Sequence, residues 1–427
     1  MKFAPLTAAL LLIGVQTGVA EDWARFRGPD GSGISTDSGV PVQWSESKNL
    51  RWRAKLPGPG SSSPIVVGDR VFVTCYSGYG VERGGGDISD LKRHLVCLNR
   101  ADGSIAWSAT VAAELPEDPY RGFISEHGYA SNTPVSDGRR VFAFFGKTGV
   151  LAFDMKGDKL WQVNVGKESS NRRWGSAASL VLYKKTVLVN ASEESQSLRA
   201  LDQATGEEVW KTDASLLDLV YTTPTLVSVD GGRKELVLPV SGEVWGLNPD
   251  NGKLRWFCET NQSSNITPTV VASDGVAYVF GGRGAGGVAI RAGGKDDVTD
   301  SHIVWTSRTG SYVASPLLHR GHLYWVDDRA IAHCVDAMTG RDVYRERLDV
   351  GGGGRPFYAS PVLAGEHIYI PSRRDGTIVI SANPEFKQVA HNKLAGDDTD
   401  FNGTPAISNG ELFLRSNRYL YCVSAAE

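Results

Sequence analysis

Thr133 to Trp161, TPVSDGRRVFAFFGKTGVLAFDMKGDKLW, reads as one complete four-stranded unit. Pro134 opens a short strand, Asp137-Gly138 turns the chain, and Val141 to Phe145 form an apolar strand rich in β-branched and aromatic side chains. The Gly146 to Gly149 turn leads into a third strand, Val150 to Phe153, and Asp154 to Gly157 turns again into a fourth ending at Trp161. Such a unit cannot bury both faces alone, so it must stack on copies of itself.

Copies follow with regular punctuation. A Gly lies four residues before a Trp at Gly103/Trp107, Gly157/Trp161, Gly206/Trp210 and Gly252/Trp256, and before a Tyr at Gly340/Tyr344. The same Gly follows Asn99, Asp202, Asn248 and Asp336 by four residues. The amide or acidic side chain can close the turn on its own backbone, and the glycine takes positive φ without steric cost. Ser-Pro or Thr-Pro recurs upstream at Pro64, Pro134, Pro224, Pro268, Pro316, Pro361 and Pro405, with Ala177-Ala178-Ser179 in place of the third. Unit starts fall 44 to 48 residues apart from the second onward, and the first spans 70. A four-stranded repeat of this period predicts a β-propeller.

The chain ends complete the count. Asn49 to Leu56 looks like a lone fourth strand with its Trp52 in place, and its missing partners stand at the other terminus: Thr404-Pro405, Glu411 to Arg415 and Tyr419 to Val423. Pairing the N-terminal strand with this C-terminal blade removes the exposed edge and predicts an all-β, eight-bladed β-propeller over residues 49–427. Glu21 to Lys48 has scattered aromatics and no period; it is expected to wrap the outside of the ring, with Trp23, Phe26 and Trp44 as anchors. Two long connections, Tyr76 to Arg93 and Glu114 to Tyr129, interrupt the repeats.

With 427 residues and 41% hydrophobic content the chain can bury a large core, and a net charge of −3 excludes the strongly basic footprint of nucleic-acid binding. Residues 1–20 read as a secretory signal: charged Lys2, an apolar run from Leu6 to Val15, and a small-residue cut after Ala20. That run is too short for a transmembrane anchor, so a soluble periplasmic or secreted protein, expected as a monomer, is implied. Cys97, Cys334 and Cys422 occupy the repeat position of Ala152, Ala200 and Gly246, a small buried site on the third strand. Cys75 and Cys97 lie on neighbouring strands, and alternation is read as placing both on one face, which leaves a disulfide open.

The GxxxW-ended blades, with Ala/Cys-Leu/Phe-Asp/Asn before the turn, resemble the pyrroloquinoline-quinone-repeat propellers, the superfamily of eight-bladed quinoprotein alcohol dehydrogenases. They resemble equally the non-catalytic outer-membrane barrel-assembly lipoprotein that shares this ring. The catalytic branch implies pyrroloquinoline quinone with calcium and an adjacent-cysteine disulfide. Here the closest two cysteines, Cys75 and Cys97, are 22 apart, no Cys-x-x-Cys-His haem attachment occurs, and no calcium or quinone ligand is assignable by motif. The lipid-attachment cysteine of the assembly lipoprotein also has no counterpart.

A ligand site is expected where the lead-ins to the first strands meet at the channel mouth: His127, Tyr129, Arg172, Arg173, Trp174, Tyr221, Asn265, Tyr312, Tyr358 and Asn402. Aromatics, amides and paired arginines suit a planar, anionic or sugar-like ligand; the plainer reading is that the same residues plug a narrow channel and satisfy backbone groups. Glu193-Glu194 reads as a solvated turn or a weak cation site, Asn190-Ala-Ser192 fits the glycosylation pattern, and Gly281 to Gly287 lacks the Lys-Ser/Thr and helix of a phosphate loop. Scattered histidines and a missing nucleophile elbow offer no metal centre or hydrolase. The expected function is an exported, non-catalytic scaffold without cofactor that binds protein or envelope partners. The rival readings are a quinone-dependent dehydrogenase and sugar or small-anion capture in the channel.

Overall fold

The repeat unit folds as its sequence predicts: strands Val135–Ser136, Arg140–Phe144, Val150–Asp154 and Lys159–Val163 form one antiparallel blade. The computed structural model describes residues 21–81, 85–262, 265–282, 284–351 and 354–425. The signal segment, Gly84 of the first insertion, Arg283 of the glycine loop and part of the Gly351 to Gly354 link lie outside them. Eight such sheets make the ring. The eighth is stitched from both ends of the chain: Leu50–Lys55 pairs antiparallel with Tyr419–Val423, placing Trp52 opposite Cys422.

Hydrophobic layers lie between successive blades, and three repeated contacts explain the sequence punctuation. First, the Ser/Thr hydroxyls that open the blades form a chain around the axis. The N–H of Ser63 donates to Thr133 Oγ1 (2.9 Å), Thr133 to Ser179 Oγ (3.1 Å), Ser179 to Thr223 Oγ1 (3.0 Å), Thr269 to Ser315 Oγ (2.9 Å), Ser315 to Ser360 Oγ (2.9 Å) and Ser360 to Thr404 Oγ1 (3.0 Å). In the fifth blade this place belongs to Thr269, since Val271 pairs with Tyr278 as Ile65 pairs with Phe72; Thr267-Pro268 lies two residues early.

Second, five of the six blade-end indoles reach the next blade. Trp52, Trp107, Trp161, Trp210 and Trp305 donate Nε1–H to the carbonyls of Arg100, Met155, Gln203, Pro249 and Ala337. The turn glycine of that next blade lies on the ring: a Cβ at Gly206 would meet Trp161 at 2.8 Å, and φ there is +78°. Third, the small third-strand residue sits directly opposite the Trp beside a β-bulge, as in Cys97↔Trp107, Ala200↔Trp210 and Cys334↔Tyr344. In the seventh blade, where the Trp is lost, Val379 opposes Ala390 and the large and small partners have exchanged strands.

Two expectations are corrected. All five cysteines are free and buried, but Cys97 pairs with Phe72 and Cys75 with His94, so the two thiols fall on opposite faces of their sheet. No tight turn ties those strands together, and a one-residue slip in the assumed register exchanges the faces. The N-terminal arm also does not begin on the outside. Trp23 bridges Val66, Ser136 N–H donates to the Ala24 carbonyl, and Ile34–Ser35 adds a parallel strand to Val362–Ala364, all on first strands beside the axis. Arg27 anchors this crossing: its fully buried guanidinium donates to the carbonyls of Gly31, Ser32, Ser315 and Pro316, and burial lowers its pKa to about 9. Only then does the arm run out over blade seven, where Trp44 stacks on Tyr369 with ring centroids 6.3 Å apart.

Candidate functional site

First strands of neighbouring blades touch around the axis, so the segments leading into them converge at one end of the channel. There they line a largely apolar, half-open cavity of about 160 Å³ to which every blade contributes. Ser61 comes from the first blade and Ser131 from the second; Trp174 and Ala177 come from the third. Tyr221, Thr267, Tyr312, Tyr358 and Asn402 represent the remaining five. The long connection before the second blade adds Phe123, Glu126 and His127, because its single helical turn Ile124–His127 dips into the mouth.

Six of the ten candidate residues therefore line one cavity: His127, Trp174, Tyr221, Tyr312, Tyr358 and Asn402. The other four stand apart. Tyr129 is buried behind the wall among Tyr76, Tyr79 and Tyr120, its hydroxyl donating to the Asp118 carbonyl at 2.7 Å. Arg172 is exposed on the rim with its guanidinium 5.8 Å from the Trp174 ring centroid. Arg173, also exposed and at φ +51°, lies 4.0 Å from Asp118. Asn265, at φ +70°, precedes the lining residue Thr267.

Polar atoms in the wall are mostly committed. His127 donates Nε2–H to the Trp174 carbonyl at 2.8 Å, which leaves Nδ1 to accept from Ser131 Oγ at 2.6 Å. Burial lowers its pKa, so the ring is a fixed neutral strut at pH 7. Glu126 is held by Arg373 at 2.8 Å, and Arg373 also meets Asp400 at 2.9 Å and Asn402 Oδ1 at 3.1 Å. Tyr221 donates to Glu193 at 3.3 Å. What faces the cavity is chiefly ring: Phe123 and Trp174 have centroids 4.3 Å apart, and Trp174 and Tyr221 stack at 6.0 Å.

Phe123, Arg355 and Arg373 were not among the sequence candidates. Arg355 lies over Tyr312 (5.2 Å) and Phe123 (5.9 Å), and Arg373 over Tyr358 (4.6 Å). Phe123 and Arg355 come from irregular connections, and the available signal was an aromatic inside an insertion and an arginine after a glycine run.

Behind this mouth is a second, polar cavity of about 20 Å³ lined by Arg93, Glu117, Asp118, Lys147, Glu193 and Glu194, among others. Arg93 pairs with Glu117 at 2.6 Å and Lys147 with Asp118 at 2.9 Å. The expected solvated turn at Glu193-Glu194 is thus corrected: these residues are 5% and 1% exposed, because the turn Ser192–Ser195 tucks under the lead-in carrying Ser170, which donates to Glu193 through both N–H and Oγ. Burial raises both pKa values, that of Glu194 to about 8 with help from the Glu193 charge. Asn190 is likewise buried, its amide donating to the carbonyls of Val220 and Thr222, so the glycosylation pattern is not accessible.

A family model described as outer membrane protein assembly factor BamB matches residues 95–346. A search of curated proteins finds no match for the chain. Among solved structures, BamB from Moraxella catarrhalis superposes with a TM-score of 0.60 at 14% identity, covering 87% of this chain and 96% of that one. The computationally designed Ika8 protein gives 0.57 at 10% identity, covering 88% and 99%. Quinohemoprotein alcohol dehydrogenase ADHIIG from Pseudomonas putida HK5 gives 0.50 at 12% identity, covering 85% and 76%. At these identities the structural likenesses carry the ring architecture alone, whereas the family match extends over more than half of the residues: this chain belongs to the outer membrane protein assembly factor BamB family of pyrroloquinoline-quinone-repeat propellers.

Proposed function

We propose that the protein is an exported, monomeric, non-catalytic propeller that serves as a binding scaffold for protein partners in the cell envelope. The observation that carries this reading is the construction of the two insertions. They pack on each other as one surface: the Tyr120 N–H donates to the Tyr79 hydroxyl at 3.1 Å, and Tyr76, Leu91, Ile124 and Tyr129 form a shared apolar cluster. That surface adjoins the axial mouth and supplies part of its wall through Phe123 and Glu126. Long connections on a rigid ring commonly carry binding, and a preformed surface loses little entropy in doing so. The family's own description as an assembly factor favours protein contacts. The leader-like residues 1–20 favour export, and among the described residues no helix is long and apolar enough to cross a membrane.

The rival quinone reading meets a site that does not fit. Cofactor pockets usually run to about 300–1,000 Å³, whereas the axial cavity holds about 160 Å³. The one carboxylate lining it among the described residues, Glu126, is already engaged by Arg373. Among the described residues no three His, Cys, Asp or Glu side chains converge as a metal site.

Replacing residues 79–90 by a short Gly-Ser link, with melting curves as a folding control, tests the scaffold reading by cross-linking in envelope extracts. Partners captured by the parent and lost from the folded variant are expected; an unchanged set would rule out this surface. Titration with calcium and pyrroloquinoline quinone is expected to give no bound chromophore, and one quinone per chain would overturn the non-catalytic assignment.

A further inference from the structure

The axial cavity has dimensions and an electrostatic setting that specify its occupant. Its volume, about 160 Å³, is close to the roughly 150 Å³ apolar cavity that admits one benzene molecule. The lining is ring-faced, and the polar tips in its wall are largely committed: His127 to Trp174 and Ser131, Ser61 to the His127 carbonyl, Asn402 to Arg373 and the Glu126 carbonyl. A group entering this space gains contact with Phe123, Trp174, Tyr221, Tyr312 and Tyr358 and is offered few hydrogen bonds.

Aromatic cages of this composition can also hold cations, through the negative faces of their rings. Here those rings already have cationic neighbours. Arg355 lies over Phe123 and Tyr312, Arg373 over Tyr358, and Arg172 over Trp174, at centroid distances from 4.6 to 5.9 Å. A second cation in the middle would meet positive charge around the rim, whereas a neutral ring would not. Arg355 has Asp328 at 3.5 Å, and Arg373 has Glu126 and Asp400. Arg172, by contrast, is exposed and has no carboxylate partner among the described residues. Arg173 next to it has Asp118 as its one carboxylate partner among the described residues, at 4.0 Å, and that carboxylate already binds Lys147 at 2.9 Å. The rim above Trp174 is therefore left in want of an anion.

We propose that the axial pocket receives a single phenyl-sized aromatic side chain from a partner protein, presented on an exposed segment with an acidic residue beside it that pairs with Arg172. This rests on the scaffold reading above and adds the chemistry of its contact. The pocket has room at its base for about one ring, so the segment lies across the mouth and inserts one anchor, the arrangement in which one buried aromatic dominates an interface while the surrounding contacts exclude water. The Arg172 contact, at the solvent-exposed rim, sets orientation and association rate more than affinity.

The test uses the full chain and acetyl-Gly-Phe-Asp-Gly-amide, followed by calorimetry. A dissociation constant of about 1 mM or tighter is expected, with about a tenfold or greater loss when the peptide Phe is replaced by Ala. Ala177→Phe places a ring in the cavity from its own wall and should abolish binding at an unchanged melting temperature. Arg172→Glu should weaken the Asp peptide and favour its Lys counterpart. Equal affinity of the Ala peptide, or tighter binding of tetramethylammonium, would overturn the neutral-ring assignment. Tighter binding of free phenylacetate than of any peptide would assign the pocket to a small aromatic acid and overturn the protein source. If no probe binds while cross-linking through residues 79–90 still captures partners, the anchor is wrong and the scaffold stands; loss of those cross-linked partners as well removes the scaffold itself.

Discussion

The indole Nε1 of Trp256 donates to Oε2 of Glu235 at 2.6 Å, inside its own blade, where its counterparts reach a carbonyl of the next. The cause lies one blade on. The charged segment Lys295 to Asp300 replaces the Asn/Asp-to-Gly turn, so neither the carbonyl nor the glycine is there to receive the ring. Instead Asp296–Asp297 adds a parallel strand on the outer edge of blade four, and Glu235, with no exposed surface, takes the indole together with Arg233 at 2.9 Å and Arg255 at 3.3 Å. Glu235→Leu should cost about 3 kcal/mol in urea denaturation, since it strands a buried N–H and leaves Arg255 half-covered without its partner. In the double variant with Trp256→Phe the loss should fall short of the sum by about 1 kcal/mol, because the indole bond is counted in both.

Two glycines with nearly equal φ separate backbone strain from crowding. Gly231 (φ +74°) has nothing within 4 Å of a built Cβ, whereas the Cβ of an alanine at Gly252 (φ +70°) would lie 2.4 Å from Trp210 Cε3 and 2.5 Å from Thr212 Oγ1. Gly231→Ala should cost about 1 kcal/mol, the conformational term alone. Gly252→Ala should cost about 3 kcal/mol or more, since the ring or the turn must move. Equal losses in chemical denaturation would show that the Gly-to-Trp spacing is only a turn signal and not an interblade contact.

That contact is also why the ring was legible. A residue pattern that touches its own copy in the next blade must repeat wherever the blades repeat, so Gly206 and Trp161 carry information about blade stacking as well as about a local turn. Closure was readable for the same reason, because Trp52 lacked three strands and the C-terminus lacked one. The arm was not, since Arg27 binds backbone carbonyls that any sequence presents. Burial of Glu193 depends on Ser170 and Tyr221, contributed by lead-ins to two different blades, and nothing local distinguishes it from a solvated turn. Lead-in residues could be named as a group because propeller geometry gathers them; Phe123 and Arg355, from connections without a period, could not.

Arg27 should behave as the latch of the arm. Its guanidinium satisfies four carbonyls without a carboxylate, a geometry that an ammonium cannot reproduce. In Arg27→Met those carbonyls lose their donors, and about 3 kcal/mol of docking should go with them. The readout is amide exchange at Trp23 and Ser136, which bond to Val66 and across to Ala24. Both should exchange about a hundredfold faster, while Phe142 in the second blade stays protected. Unchanged exchange at Trp23 would mean that the arm is held by its apolar contacts alone.

Glu194 makes the stability of the ring depend on pH in a direction opposite to that of most carboxylates. Glu193 and Glu117 raise its pKa further beyond the effect of burial, one of its oxygens has no hydrogen-bond partner among the described residues, and the cations of the cavity are turned elsewhere, Arg93 to Glu117 and Lys147 to Asp118. Its folded pKa of about 8 stands above the unfolded value of 4.5. Between those two pH values the unfolded chain has released a proton that the folded chain retains, so this group's contribution is greatest below pH 4.5 and declines as pH rises to about 8. The slope is on the order of 1 kcal/mol per pH unit at most. Glu194→Gln keeps the shape, removes the titration and can donate into the cavity. It should match the parent near pH 4.5, exceed it by a growing margin through pH 6 and 7, and level off above pH 8 in thermal melts. A constant difference across that range would mean that Glu194 is ionised in the folded protein and that the cavity supplies it with a counter-charge.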